Sequence, residues 1–150
     1  MAPALIANDT TTRNRDHNMT RQTTSSRDDP WGLRQDRFDW RQLAHYETIL
    51  ALANGYMGVR GSLSISPALA APACYAAGVY GRVADARREI VNLPCWLGLQ
   101  ATVDGFPFDL KKGEVISFNR RLDMRAGILH ADITWRDDAK RRWRWQTARL

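Results

Sequence analysis

From residue 97 to residue 150 apolar and polar side chains alternate in short runs separated by turn residues, the period-two pattern of half-buried β-strands. Leu97, Leu99, Ala101 and Val103 alternate with Gly98, Gln100 and Thr102. Asp104-Gly105 then predicts a type I′ turn into Phe106-Pro107-Phe108. Lys111-Lys112-Gly113 is the next turn, and strands are predicted over 115–122, 128–135 and 141–150, the last two joined by Asp137-Asp138-Ala139-Lys140. In the final strand Arg142 and Arg144 alternate with Trp143 and Trp145, which predicts one wet face and one buried face. That strand reaches Leu150 without a turn or polar stop. An apolar edge of this kind is expected to be paired on one side at most, as in a domain cut before its last strands.

Upstream the pattern is less regular. Residues 38–52 alternate poorly and run into Asn54-Gly55, so they are read as one or two strands leading to a tight turn. Gly55, Gly58 and Gly61 crowd the next segment, predicting positive φ or close backbone approach. A phosphate-cradling loop also uses glycines, but this spacing lacks the lysine and the strand-to-helix context such a loop requires. Residues 62–77, rich in Ala, Ser and Pro, suit a loop or an edge segment. Gly78 to Gly81 reads as a short strand, and Pro94 bars the apolar run 90–97 from a central ladder position.

Residues 1–30 differ in kind. Thr, Ser, Arg and Asp dominate, and from residue 7 to Pro30 the only sizeable apolar side chain is Met19. Such a segment buries too little surface to offset its ordering entropy, so a disordered polar arm is expected over 1–30 and a folded domain over 31–150. Four Asp within the arm argue against a mitochondrial transit peptide, and the Ala4-Leu5-Ile6-Ala7 run is too short for a secretory signal.

Composition narrows the function classes. With 44% apolar and 25% charged residues over 150 positions, one compact soluble core is expected. No apolar run approaches the ~20 residues of a membrane helix. Cys74 and Cys95 are too few for a disulfide framework and read as reduced thiols of a cytoplasmic protein. The net charge of +6 is concentrated at the C-terminal end, where residues 120–150 carry nine Lys/Arg against four Asp. Arg142 to Trp145 thus raises a single-stranded nucleic-acid surface as an alternative to an ordinary amphipathic strand. His17, His45 and His130 lie far apart with no Cys or carboxylate pair at ligand spacing, so no metal site is expected. Together these features predict an all-β, antiparallel β-sandwich.

Four segments carry a resemblance. Residues 46–61, including Glu47, Asn54-Gly55-Tyr56 and Gly58-Val59-Arg60-Gly61, are similar to a segment near the start of glycoside hydrolase family 65 proteins. Ala77-Gly78-Val79-Tyr80, the run Asn92-Leu93-Pro94-Cys95-Trp96 and the run Leu122-Asp123-Met124-Arg125-Ala126-Gly127 follow in the same order, with Cys95 standing where that family commonly has Asn. The family contains maltose, trehalose and kojibiose phosphorylases and acid trehalases. The resemblance implies a supersandwich-like N-terminal domain, incomplete at residue 150, that packs on an (α/α)6 catalytic barrel and supports a homodimer, with inorganic phosphate as co-substrate in the phosphorylases and no other cofactor.

An inverting family of this type needs a carboxylic acid to protonate the leaving oxygen and a water-activating base or bound phosphate to complete the displacement. The resemblance puts those groups in the barrel, so no catalytic residue is expected in this chain. Glu47, Asn54, Gly55, Gly58, Arg60, Gly61, Asn92, Pro94, Trp96, Asp123 and Arg125 are accordingly structural or domain-interface candidates. Arg60 suits a buried ion pair with Glu47 or Asp123, because a guanidinium fork matches a carboxylate at close quarters. Asp123 and Arg125 read as a polar turn facing another domain. Trp31, Trp40 and Trp96 are candidates for stacking on sugar rings, against the alternative that they are core. The competing function class is a stand-alone carbohydrate- or nucleic-acid-binding β-module.

Overall fold

The structure is a computed structural model that describes residues 4–5, 29–64, 72–82, 87–99 and 101–150. It is built almost wholly of antiparallel β-sheets with one short helix, an all-β domain. A five-stranded sheet has the order β1-β12-β11-β10-β2, formed by β1 (Ala4–Leu5), β2 (Gly32–Gln35), β10 (Glu114–Asp123), β11 (Ile128–Arg136) and β12 (Arg142–Arg149). A second sheet joins β3 (Leu52–Ala53), β4 (Met57–Val59) and β5 (Cys74–Ala76). Two-stranded ribbons pair β6 (Tyr80–Arg82) with β7 (Arg88–Ile90), and β8 (Thr102–Val103) with β9 (Phe106–Pro107).

The long hairpins follow the turn chemistry. Asp104 and Gly105 have φ of 51° and 79°, both positive as a type I′ turn requires. Asp137 accepts hydrogen bonds from the Arg141 N–H at 2.8 Å and the Arg141 Nε–H at 2.7 Å, closing the β11–β12 turn. Of the alternation predicted over 97–103, only Thr102–Val103 forms a strand among the described residues.

Two readings need correction. Residues 40–49 form a helix, α1 (Trp40–Ile49), not strands. Asp39 caps it in an extended conformation, its carboxylate accepting the Arg41 N–H at 2.8 Å. Leu43, Glu47 and Leu50 then fall on one buried face at helical spacing. A charged residue occupies the middle of that inward stripe, which hides the 3.6 period. The second correction concerns β12, which is paired on both sides: β11 runs along its whole length, and Ala4 and Leu5 pair with Gln146 and Trp145. The remainder of the arm predicted over 1–30 lies outside the described residues, apart from Asp29 and Pro30.

The inner face of the large sheet carries the core. Leu43, Leu63, Phe108, Leu110, Phe118, Ile133, Trp135 and Trp145 form one cluster. Phe108 meets Trp135 edge-on with ring centroids 5.0 Å apart, a contact worth about 0.5–1.5 kcal/mol beyond area burial. Leu50, Leu122 and Leu129 form a second cluster, and Val59, Cys74 and Leu97 a third under the smaller sheet.

Candidate functional site

Between the first two clusters a polar row crosses the inner face. Gln35 pairs with Arg120, Arg120 with Ala131, and Ala131 with Thr147. The small Ala131 leaves room for the guanidinium of Arg120, which has no exposed surface. In the next row Leu33, Leu122, Leu129 and Arg149 are the successive partners. Arg120 and Arg149 therefore project onto the side that period-two alternation reserves for the core.

The helix and the segment after β4 cover this row. Glu47 of α1 is 2% exposed and accepts the Leu63 N–H on Oε1 at 3.3 Å. Its Oε2 lies 3.8 Å from Arg60 Nε. Arg60 Nη2 donates to the Ala44 carbonyl at 2.6 Å and to Thr48 Oγ1 at 3.0 Å, clamping α1 to the segment that follows β4. Arg120 donates to Gln35 Oε1 and to the Gly61 carbonyl, and Arg149 Nη2 donates to the Ser62 carbonyl at 2.6 Å. Three guanidinium groups and one carboxylate thus converge on residues 60–63.

Burial governs the protonation of this layer. Desolvation raises Glu47 above its usual carboxylate range, opposed by the Leu63 N–H and by Arg120, Arg60 and Arg149. Desolvation, aided by Arg149 and opposed by Glu47, lowers Arg120 to about 10. Both partners disfavour charge despite their mutual attraction, the signature of a layer whose desolvation exceeds its pairing.

The predicted glycines divide. Gly55 has φ +85° in the β3–β4 turn, where Asn54 Oδ1 accepts the N–H groups of Tyr56 and Met57 at 3.1 and 2.9 Å. At Gly61 a Cβ would stand 2.5 Å from the Leu50 carbonyl oxygen, so the backbones approach closely. Gly58 shows neither feature: it lies in β4, and its nearest Cβ contact is an ordinary 3.7 Å.

The other candidates disperse. Asn92 accepts the Cys74 N–H and donates to the Pro72 carbonyl, fastening the 92–96 segment to β5. Pro94 is exposed, and Trp96 stands 59% exposed beyond that anchor. Asp123 does not meet Arg60; it accepts the N–H groups of Arg125 and Ala126 and lies 3.6 Å from Arg121. Arg125 sits over the Trp31 ring. Trp145 is buried and Trp143 half-buried while Arg142 and Arg144 face solvent, the arrangement of an amphipathic strand rather than a stacking surface. Cys74 and Cys95 are free thiols. Among the described residues no helix is long and apolar enough to cross a membrane.

Gln35, Arg120 and Arg149 are the members of the layer that sequence reasoning missed. A signal existed: Arg120 falls in phase between Phe118 and Leu122, and Arg149 in phase with Trp143 and Trp145.

Comparison with known proteins bears on these geometries. Residues 33–150 match the family described as glycosyl hydrolase family 65, N-terminal domain. The chain is 32% identical over 109 residues to a kojibiose phosphorylase of Halothermothrix orenii, covering 73% of this chain and 14% of that protein. It is 35% identical over 114 residues to one of Thermoanaerobacter brockii, covering 76% and 15%. An uncharacterized glycosyl hydrolase of Mycobacterium leprae is 32% identical over 134 residues, covering 81% and 17%. The solved "Putative kojibiose phosphorylase from human microbiome" superposes with a TM-score of 0.64 at 21% identity, over 71% of this chain and 16% of that one, and shows the same fold.

Proposed function

The chain belongs to glycosyl hydrolase family 65 through that family's N-terminal domain, and from this premise we propose that it is the non-catalytic N-terminal part of an enzyme that cleaves α-glucosyl disaccharides by phosphorolysis or hydrolysis, kojibiose being the first substrate to test. The observation that carries the reading is the match over residues 33–150, set beside the 14–15% of the kojibiose phosphorylases that the chain spans. In phosphorolysis a carboxylic acid protonates the glycosidic oxygen while a phosphate oxygen attacks the anomeric carbon from the opposite face. Glu47, the carboxylate inside the first motif, is buried beneath the sheet and committed to Leu63 and Arg60. Its work is to hold α1 against residues 60–63. The domain acts in the cytoplasm, consistent with its two free thiols, and supports the remainder of the enzyme chain in a homodimer.

The test is direct. The pure 150-residue chain, given kojibiose, maltose or trehalose with inorganic phosphate, is expected to release neither glucose 1-phosphate nor glucose. Turnover that disappears in Glu47→Gln would overturn the assignment. A chimera in which residues 33–150 replace the matching segment of the Thermoanaerobacter brockii enzyme is expected to phosphorolyse kojibiose.

A further inference from the structure

We propose that the face built by the β3–β4 hairpin, β5 and the β6–β7 ribbon is the surface on which the rest of a family 65 polypeptide docks. This inference rests on the reading that the chain is one domain of a longer enzyme.

Leaving aside the terminal Leu150, four large apolar side chains are more exposed than any others among the described residues: Tyr56 at 82%, Ile90 at 60%, Trp96 at 59% and Tyr80 at 58%. They are not scattered. Tyr56, Tyr80 and Ile90 line a groove of about 220 Å³ on one side of the β3–β4 hairpin. Trp96 and Leu150 line a second, of about 400 Å³. Ala53 and Met57 belong to both linings, so the hairpin is the ridge between two apolar depressions of one surface. Single exposed apolar residues need no explanation, whereas a contiguous set marks an interaction site.

The surface is held in shape before any partner arrives. Asn54 fixes the hairpin tip through two main-chain N–H groups, Tyr80 pairs directly with Ile90, and Asn92 ties the approach to Trp96 onto β5. The motif segments 54–58, 77–80 and 92–96 therefore meet on this face, although the sequence separates them by up to about 40 positions.

The lining chemistry selects the occupant. Neither groove carries a charged residue. Two other grooves among the described residues do: Asp36 and Arg37 line one, and Asp109, Lys112, Asp137, Asp138 and Arg141 line another. Loss of charge with Tyr, Trp and Met retained is the composition of a protein interface core. A sugar site instead requires polar groups converging on hydroxyls, and the side-chain amide oxygen of Asn54 is already taken by Tyr56 and Met57. The protein partner is the remainder of the enzyme, since the chain spans only 14–15% of the kojibiose phosphorylases and the unrepresented part is by far the largest surface available.

Hydroxyl-radical footprinting read by mass spectrometry tests this on the isolated chain and on the Thermoanaerobacter brockii chimera. Labelling of Tyr56, Tyr80 and Trp96 should fall about tenfold in the chimera, while Trp40, on a groove with charged walls, keeps its labelling. A chimera that phosphorolyses kojibiose with the three aromatics labelled as in the isolated chain would overturn the docking face and leave the functional reading intact. An inactive chimera with the face protected counts against the functional reading alone. A second measurement does not depend on the chimera folding. The double variant Tyr56→Ser, Ile90→Ser should leave the melting temperature of the isolated chain unchanged; a drop of several degrees would make these residues its own core and overturn the proposal. Concentration-dependent dimerisation that protects the same three aromatics in the isolated chain would assign the face to a second copy, and overturns it equally.

Discussion

The Glu47 carboxylate and the Arg60 guanidinium face each other at 3.8 Å across the junction of α1 and the segment that follows β4, the carboxylate almost fully buried and the guanidinium still 22% exposed. The pair is asymmetric. Arg60 retains contact with water and with two acceptors on α1, whereas Glu47 has given up hydration for one main-chain N–H and the field of three arginines.

That asymmetry sets a pH dependence. Glu47 binds its proton more readily folded than unfolded, so its contribution to stability is largest below the unfolded value of 4.5 and is lost as pH rises through the raised folded value. Glu47→Gln removes this contribution. Melting curves of the two proteins should diverge in favour of the wild type as pH falls from neutral toward 4.5, and parallel curves would show that Glu47 is not desolvated.

Deleting charge should have unequal consequences at the two signs. Arg120→Met removes one of the three cations around Glu47 and fills most of its volume; Arg60 and Arg149 still face Glu47, so the cost should be about 1–3 kcal/mol, set by the Gln35 and Gly61 acceptors left without a donor. Glu47→Leu leaves three guanidinium groups with no counter-charge and should cost about 3–5 kcal/mol. Urea denaturation of both variants gives the comparison.

The glycine segment separates by position. Gly61→Ala drives a methyl group into the Leu50 carbonyl and should destabilise by about 2–4 kcal/mol, since neither backbone is free to move. Gly58→Ala meets only ordinary contacts in β4 and should be neutral or raise stability by about 0.5 kcal/mol. Equal losses at the two sites, measured by thermal melting, would mean that the close approach at Gly61 is not rigid.

Asp137 closes the β11–β12 turn with bonds from Arg141 and from Trp143 Nε1 at 3.0 Å. Burial pushes its carboxyl up, but the Trp143 indole and the Arg141 amide and guanidinium outweigh that and hold it below 3.8. Its stabilisation is present above the unfolded value and lost as pH falls through the lowered folded one. Asp137→Asn should cost about 1–2 kcal/mol at pH 7 and make stability less sensitive to acid in the window below pH 4.

Local chemistry made much of the fold legible. Asp104-Gly105, the Arg/Trp alternation and the spacing of turns each point to one backbone outcome, because two-residue turns and period-two faces leave few alternatives. Helix α1 was hidden because its inward stripe contains Glu47, a residue that reads as polar until a partner is known. Arg120 and Arg149 were hidden for the same reason: a side chain is recognised as core by its chemistry, and the guanidinium contradicts the phase that placed it there. The Arg60–Glu47 pair was anticipated as one of two alternatives, since charge type limits partners but cannot choose between Glu47 and Asp123. The exposed cluster around Tyr56 was illegible, because strand neighbours such as Tyr80 and Ile90 come together only through the ribbon's register.

The pairing of β2 with only the last four residues of β10 leaves Glu114 to Asn119 with β11 as their one strand partner among the described residues. An open ladder of this length invites a foreign strand. The register slips between Val115 and Ser117, and the extra residue, Ile116, is 40% exposed. A bulge of this kind twists the strand and spoils the even spacing of main-chain donors and acceptors that an incoming strand would need. Asn119 donates through its side chain to Asp36 at 2.7 Å and so blocks the same edge where β2 ends. The irregularity works as a guard against fibril-like growth, and restoring a regular strand by deleting Ile116 should make the protein aggregate through β10.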